Sequence, residues 1–244
     1  MLVLIAVIGV VVLAHVAPFP FLLDVTDDTV WRMPRTATPT IYLTFDDGPN
    51  PDATPQLLDT LARHGVPATF FVIDKHLTRD TASIVRRAFE DGHAVAIHWH
   101  SRNLLFRGPT YVASTLQEAA ARMEVITGRR PCRAFRPHGG NRSIPMIQGA
   151  AKAGYLVVGW SWMMWDFNWF RRRNADDIVP RLADHASDGD VIVIHDGHHK
   201  DPRSDRRYAI ETVDRLIPML RERGFALGTI CPSTSFQNDV ERGL

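Results

Sequence analysis

Six of the eleven histidines in this 244-residue chain, and a pair of adjacent aspartates, fall in one kind of place, at or just past the end of a short apolar run. Asp46-Asp47-Gly48-Pro49 follows TIYLTF (40–45). His98 ends HAVAIH (93–98), with His100 and Arg102 just beyond. Arg136 and His138 lie at the end of RAFRP (133–137). Trp162, Trp165 and Asp166 follow LVVGWS (156–161), and His195, Asp196, His198 and His199 end or follow VIVIH (191–195). Two adjacent carboxylates suit a division of labour, one holding a cation while its neighbour takes a proton. Asp-Asp-Gly-Pro is also ordinary turn chemistry. The imidazoles that end two other runs turn the reading towards a site.

Those positions imply the elements that must carry them. The runs just quoted, with ATFFVI (68–73) and ALGTI (226–230), make seven strands that are apolar throughout rather than alternating. Parallel strands covered on both faces have that composition. Helix candidates lie between them. Thr54-Pro55 opens one that Gly65 closes, and others end at Gly92, Gly128, Gly154, Gly189 and Gly224. Pro180 and Pro218 fall inside two of them, which predicts kinks or late starts. Seven strands alternating with about six helices, without a glycine-rich phosphate loop, give the class as α/β. The expected architecture is a (β/α) barrel, seven-stranded and incomplete, with its chemistry on the loops after the strands.

The motifs resemble the polysaccharide deacetylase family, the metal-dependent N-deacetylases of chitin, peptidoglycan and related glycans. TFDDGP (Thr44 to Pro49) and VIVIHDGHH (Val191 to His199) carry most of the likeness. FRPHGG (Phe135 to Gly140), GWSWMMWDF and EDGHAV add to it, over about Thr40 to Ile230. The resemblance implies Asp46 as general base, Asp47 and His98 as metal ligands, and Arg136 as the partner that orients Asp46. It implies Asp166 as the residue that orients His195, and His195 as the acid that protonates the departing amine. It also implies an oxyanion donor near His138-Gly139, and a divalent cation, zinc by preference, as cofactor.

The pattern departs from the family at one point. The second histidine ligand is expected four residues after the first, where this chain has Arg102, and a guanidinium does not ligate a divalent metal. His100 is the leading substitute, because residues 98 and 100 of a regular strand share a face. His138 is a second candidate. In a third reading Asp47 and His98 stand alone with waters, or there is no metal. Four of the six tryptophans, Trp160, Trp162, Trp165 and Trp169, lie within ten residues. Trp160 reads as core, while Trp165 and Trp169, with His138, are candidates to touch a sugar.

The remaining features set limits. A net charge of +1 offers nucleic acid no electrostatic footing. The partner expected is an N-acetylated glycan, met by a monomer. Cys132 and Cys231 sit at opposite ends of the assigned strands, which argues against a bridge between them. Residues 2–14 are continuously apolar and the run resumes through PFPFLL, so 1–23 reads as a signal or membrane anchor. That places the catalytic domain outside the cytoplasm. A linker (24–39), a catalytic domain (40–232) and a tail (233–244) complete the division. Two other functions compete: a metal-dependent hydrolase of another C–N bond, and a glycan-binding protein whose catalysis is impaired.

Overall fold

The computed structural model describes residues 29–163 and 174–231. Its strands are β1 (Thr40–Asp46), β2 (Thr69–Ile73), β3 (Ala94–His98), β4 (Ala134–Arg136), β5 (Leu156–Val157), β6 (Trp162–Met163), β7 (Val191–His195) and β8 (Ala226–Gly228). The helices are α1 (Thr54–His64), α2 (Ala82–Glu90), α3 (Pro109–Thr127), α4 (Ile144–Lys152), α5 (Ala175–His185) and α6 (Arg207–Glu222). One parallel sheet runs β5-β4-β3-β2-β1-β7-β6 and curls into an incomplete barrel with the helices outside. β8 pairs the first half of β1, Thr40–Tyr42, below the point where β2 pairs Thr44–Asp46.

Uniformly apolar strands conceal a strict alternation. Ile41, Leu43 and Phe45 of β1 pack outward with Phe70, Val72, Val95, Ile97, Phe135, Ile192 and Ile194 into the large core beneath the helices. Tyr42, Phe71, Ala96, Ala134 and Val191 face the other way, into a small interior cluster. Because side chains alternate along a strand, Asp46, His98, Arg136 and His195 continue that inward phase at the strand ends. The registers level them: Asp46 stands opposite His195, and His98 opposite Arg136.

The strand expected at 156–161 is in fact two. β5 pairs β4 for two residues, the chain leaves the sheet, and β6 pairs β7. The physical reason lies upstream, in residues 30–33. Val30 donates to the Val157 carbonyl (2.8 Å) and accepts from the Gly159 amide (2.9 Å), taking the edge opposite β4 where a neighbouring strand would pair. Arg32 bridges Asp190 and Met33 donates to Gly189, so this strap spans the gap between β5 and β7. Gly159 is needed there, since a Cβ on it would fall 2.2 Å from the Trp31 ring. The Arg32 guanidinium also pairs with buried Asp190 at 2.6 Å.

Two further expectations are corrected. Cys132 and Cys231 form a disulfide, with Cα atoms 6.3 Å apart across 99 residues of sequence. Beyond β8 the chain does not continue upward as a strand; it crosses the base of the barrel. The Ile230 amide donates to Thr69 Oγ1 (2.9 Å), and Ile230 is buried in the interior cluster, which delivers Cys231 to the foot of β4. Pro180 and Pro218 do not delay their helices, which run unbroken from Ala175 and Arg207. Among the described residues no helix is long and apolar enough to cross a membrane. Residues 1–23, read as a signal or anchor, lie outside the described residues.

Candidate active site

Asp46 is the most tightly held group at the top of the barrel. Arg136 Nη1 donates to Asp46 Oδ1 at 2.6 Å and to Thr44 Oγ1 at 2.8 Å. The rest of the guanidinium donates to the Val158 and Gly159 carbonyls (3.2 and 2.8 Å), and its plane lies 3.9 Å over the Phe71 ring. Arg136 is fully buried. A buried charge needs a partner and satisfied hydrogens, and β1, β4 and the chain leaving β5 provide both. The carboxylate is therefore fixed in place by a fixed cation.

Asp47, one residue on, faces a different neighbour. His98 Nε2 is 3.3 Å from Asp47 Oδ1, with both side chains buried. His98 Nδ1 lies 2.9 Å from the Arg136 carbonyl, which can only accept, so Nδ1 carries the proton. Nε2 faces the carboxylate, so a divalent cation bound here would take its lone pair in place of a proton. Burial would raise the Asp47 pKa, but the hydrogen bond and charge of His98, then the charges of His195 and His138, hold it below the usual carboxylate range. Burial would likewise lower that of His98, yet the Asp46 and Asp47 carboxylates raise it. The donor set at this point, one carboxylate and one oriented imidazole, fits a divalent metal of the zinc kind. Among the described residues, no three His, Cys, Asp or Glu side chains are already gathered around one point in ligating geometry.

The turn after β1 is bent hard to make this possible. Asp47 has φ +72°, a region uncommon for a residue with a side chain. Gly48 and Gly197 permit the close approach of the β1 and β7 loops. A Cβ at Gly197 would fall 2.1 Å from the Asp47 carbonyl, and one at Gly48 2.4 Å from Asp196 Oδ2. The Asp196 and Gly197 amides donate to the Asp46 carbonyl (3.2 and 3.3 Å). Asp196 itself, buried, accepts from Thr54 Oγ1 at 2.5 Å, and burial, with the charges of Asp47 and Asp46, pushes its pKa up to about 7. Sequence reasoning placed Asp196 at a strand end but gave it no role. The clue was the invariant geometry that an Asp-Gly pair imposes when two loops must touch.

Histidines crowd the other side. His138 opens a short 3-10 turn (His138–Gly140) just past β4, with its ring 6.3 Å from His98 and 4.7 Å, edge-on, from His199. Burial, then the charges of His98 and His199, lower its pKa to about 4, so it stays neutral. His76, which sequence reasoning passed over, brings Nδ1 to 3.2 Å from the Asp47 carbonyl. His198 lies beside His199 and its Nδ1 caps the amides of Lys200 and Asp201. His100 sits apart: its ring packs 5.1 Å from Trp99, and the charges acting on it are Lys75, Asp74 and His76 before His98. Arg102 is exposed and extends towards Gly139.

The structure thus brings together Asp46, Asp47, His98, Arg136, His138 and His195, and leaves His100 to one side. Asp166, Trp165 and Trp169 lie outside the described residues. Trp160 is partly buried against the interior cluster, edge-on to Trp31 at 6.4 Å, as its reading as core anticipated. Of the loop arginines, Arg203 pairs with Asp52, Arg207 with Asp205, and Arg206 donates to the Gly197 carbonyl at 2.7 Å.

Known proteins resemble this arrangement closely. The family model for polysaccharide deacetylases matches residues 34–158. A chitooligosaccharide deacetylase of Sinorhizobium fredii is 35% identical over 211 residues, which cover 83% of this chain and 96% of that protein. A peptidoglycan-N-acetylglucosamine deacetylase of Bacillus cereus is 28% identical, covering 85% and 93%. Among solved structures, a peptidoglycan N-acetylglucosamine deacetylase superposes with a TM-score of 0.73 at 25% identity, covering 86% of this chain and 94% of that one. A family 4 acetyl xylan esterase from Clostridium thermocellum, solved with a cobalt ion, gives 0.68 at 26%, covering 78% and 88%.

Proposed function

Since the chain belongs to the polysaccharide deacetylase family, we propose that it hydrolyses the acetamide of N-acetylated amino sugars in a chitooligosaccharide- or peptidoglycan-like glycan, using Asp46 as base, His195 as acid and a divalent metal at Asp47 and His98. The observation that carries this reading is the Arg136–Asp46 pair at 2.6 Å, levelled by strand register with His195 on the adjoining strand. Binding alone needs no such base and acid, which speaks against an idle glycan-binding role.

A bound divalent metal would supply polarisation of the acetamide carbonyl and of the attacking water. The chain's own groups do the rest. Asp46, oriented by Arg136, takes a proton from the water as its oxygen adds to the carbonyl carbon. A backbone N–H of the His138-Gly139 turn is the donor that would meet the developing oxyanion. His195 gives a proton to the sugar nitrogen as the C–N bond breaks, releasing acetate and the free amine. Without that proton the amine is a poor leaving group. The inward phase of the strands directs these groups into the barrel mouth.

The Cys132–Cys231 bond supports a catalytic domain working outside the cytoplasm, because disulfides persist where thiols stay oxidised. The apolar stretch at 2–14 supports export or membrane anchorage as the route there.

The test is acetate release from chitooligosaccharides and peptidoglycan fragments, with and without chelator. Metal-dependent release that collapses in Asp46→Asn is the expected result. Release unchanged in that variant removes the assigned chemistry.

A further inference from the structure

We propose that His138 is the second imidazole of the metal site, so that the cation is held by Asp47, His98 and His138, with the β4 end taking over a task that the loop after β3 cannot perform. The inference rests on the metal-dependent function proposed above.

Three observations lead to it. First, β3 and β4 are in register with His98 opposite Arg136, so the residue two positions beyond Arg136 rises beside His98. The two rings are 6.3 Å apart by their centroids. Two imidazoles sharing one tetrahedral ion at about 2.1 Å per nitrogen have centroids roughly 5–6 Å apart. A side-chain adjustment on the order of 1 Å therefore closes the set. Second, His138 Nδ1 is buried and has no hydrogen-bond partner, a state that an interior polar atom does not occupy without reason. Third, the charges of His98 and Asp47 both act on His138.

The competing histidines lack that position. His100 Nδ1 is also buried without a partner, but its ring lies against Trp99, and the largest charge acting on it is the Lys75 ammonium. A neighbouring ammonium disfavours a second cation. His199 meets the site through His138, against which it packs edge-on at 4.7 Å. Arg102 extends towards Gly139, where it packs over the turn that carries His138.

The experiment measures metal binding itself. Full-length protein is stripped with chelator, and Zn2+ affinity is read by calorimetry and chelator competition. Co2+ absorption reports the ligand field. Wild type is compared with His138→Ala, His100→Ala and His199→Ala, each checked for folding by apo-protein thermal melts. His138→Phe, which keeps a ring without a donor, is the second variant should the alanine unfold. We expect a tenfold or greater loss of Zn2+ affinity and a weakened Co2+ band for His138 variants alone. Wild-type affinity in a folded His138 variant, or an equal loss on removing His100 or His199, overturns the assignment. If wild type binds no metal, the metal-dependent reading fails with it, and that result is distinct because every variant then matches wild type.

Discussion

The strand-borne half of the site and its loop-borne half are built on opposite terms. Asp46, Arg136 and Thr44 sit on strands, and the Arg136 guanidinium donates to the Asp46 carboxylate, to Thr44 and to two backbone carbonyls. His138, His199 and His100 sit beyond the strands, and each carries a buried Nδ1 with no partner. The first half finds its partners within the fold. The second presents polar atoms that a bound ligand would satisfy. Stability should therefore reside in the first half and ligand affinity in the second.

The largest effect expected is on turnover. Asp46→Asn should lower kcat by about 100- to 10,000-fold, the usual worth of a general base, with little change in substrate KM. Arg136→Met should cost activity and stability together. It strands a buried carboxylate, so a loss of about 3–5 kcal/mol is expected in chemical denaturation. A folded Arg136→Met protein with wild-type stability would break the comparison. Gly197→Ala tests the seam between the halves, since its Cβ would meet the Asp47 carbonyl at 2.1 Å. Overpacking there should cost about 1–3 kcal/mol and reduce kcat. His199→Ala, on the loop side, should leave the apo-protein melting curve within about 0.5 kcal/mol of wild type.

His93 provides a control away from the site. Burial lowers its pKa to about 4, while its Nδ1 accepts from the Ala68 amide at 3.1 Å. The unfolded chain takes up the proton near the ordinary histidine value of about 6.5, and the folded chain resists it. Stability is thus full above pH 6.5 and falls as pH drops towards 4, by at most about 1.4 kcal/mol per unit. His93→Asn should flatten that slope. A slope unchanged in the variant would assign acid sensitivity to the histidines of the barrel mouth instead.

What could be read from sequence follows the same division. Strand ends are legible because apolar runs announce themselves, and one residue of phase then decides which polar group points inward. Asp46, His98, Arg136 and His195 were found that way. The third ligand stayed open between His100 and His138, because His100 shares a strand phase with His98 only if the strand continues, and β3 ends at His98. The disulfide was misread for a similar reason: 226–230 looks like one strand, yet pairing stops at Gly228 and the next residues cross the barrel base. LVVGWS was read as continuous because nothing local to it shows Val30 arriving from 127 residues earlier to take its hydrogen bonds. Long-range competition for backbone groups leaves no periodic trace.

The strap at residues 30–33 also bears on where this protein can be cut. The family match opens at residue 34, four residues after Val30 and just past the last strap contact. A shortened protein begun at that boundary would keep the motifs and lose the wall segment that shields Gly159, whose carbonyl receives Arg136 Nη2. The base would then be loosened from behind, by a deletion that touches no residue of the site. Recognisable homology and the smallest piece that works are, for this chain, different intervals.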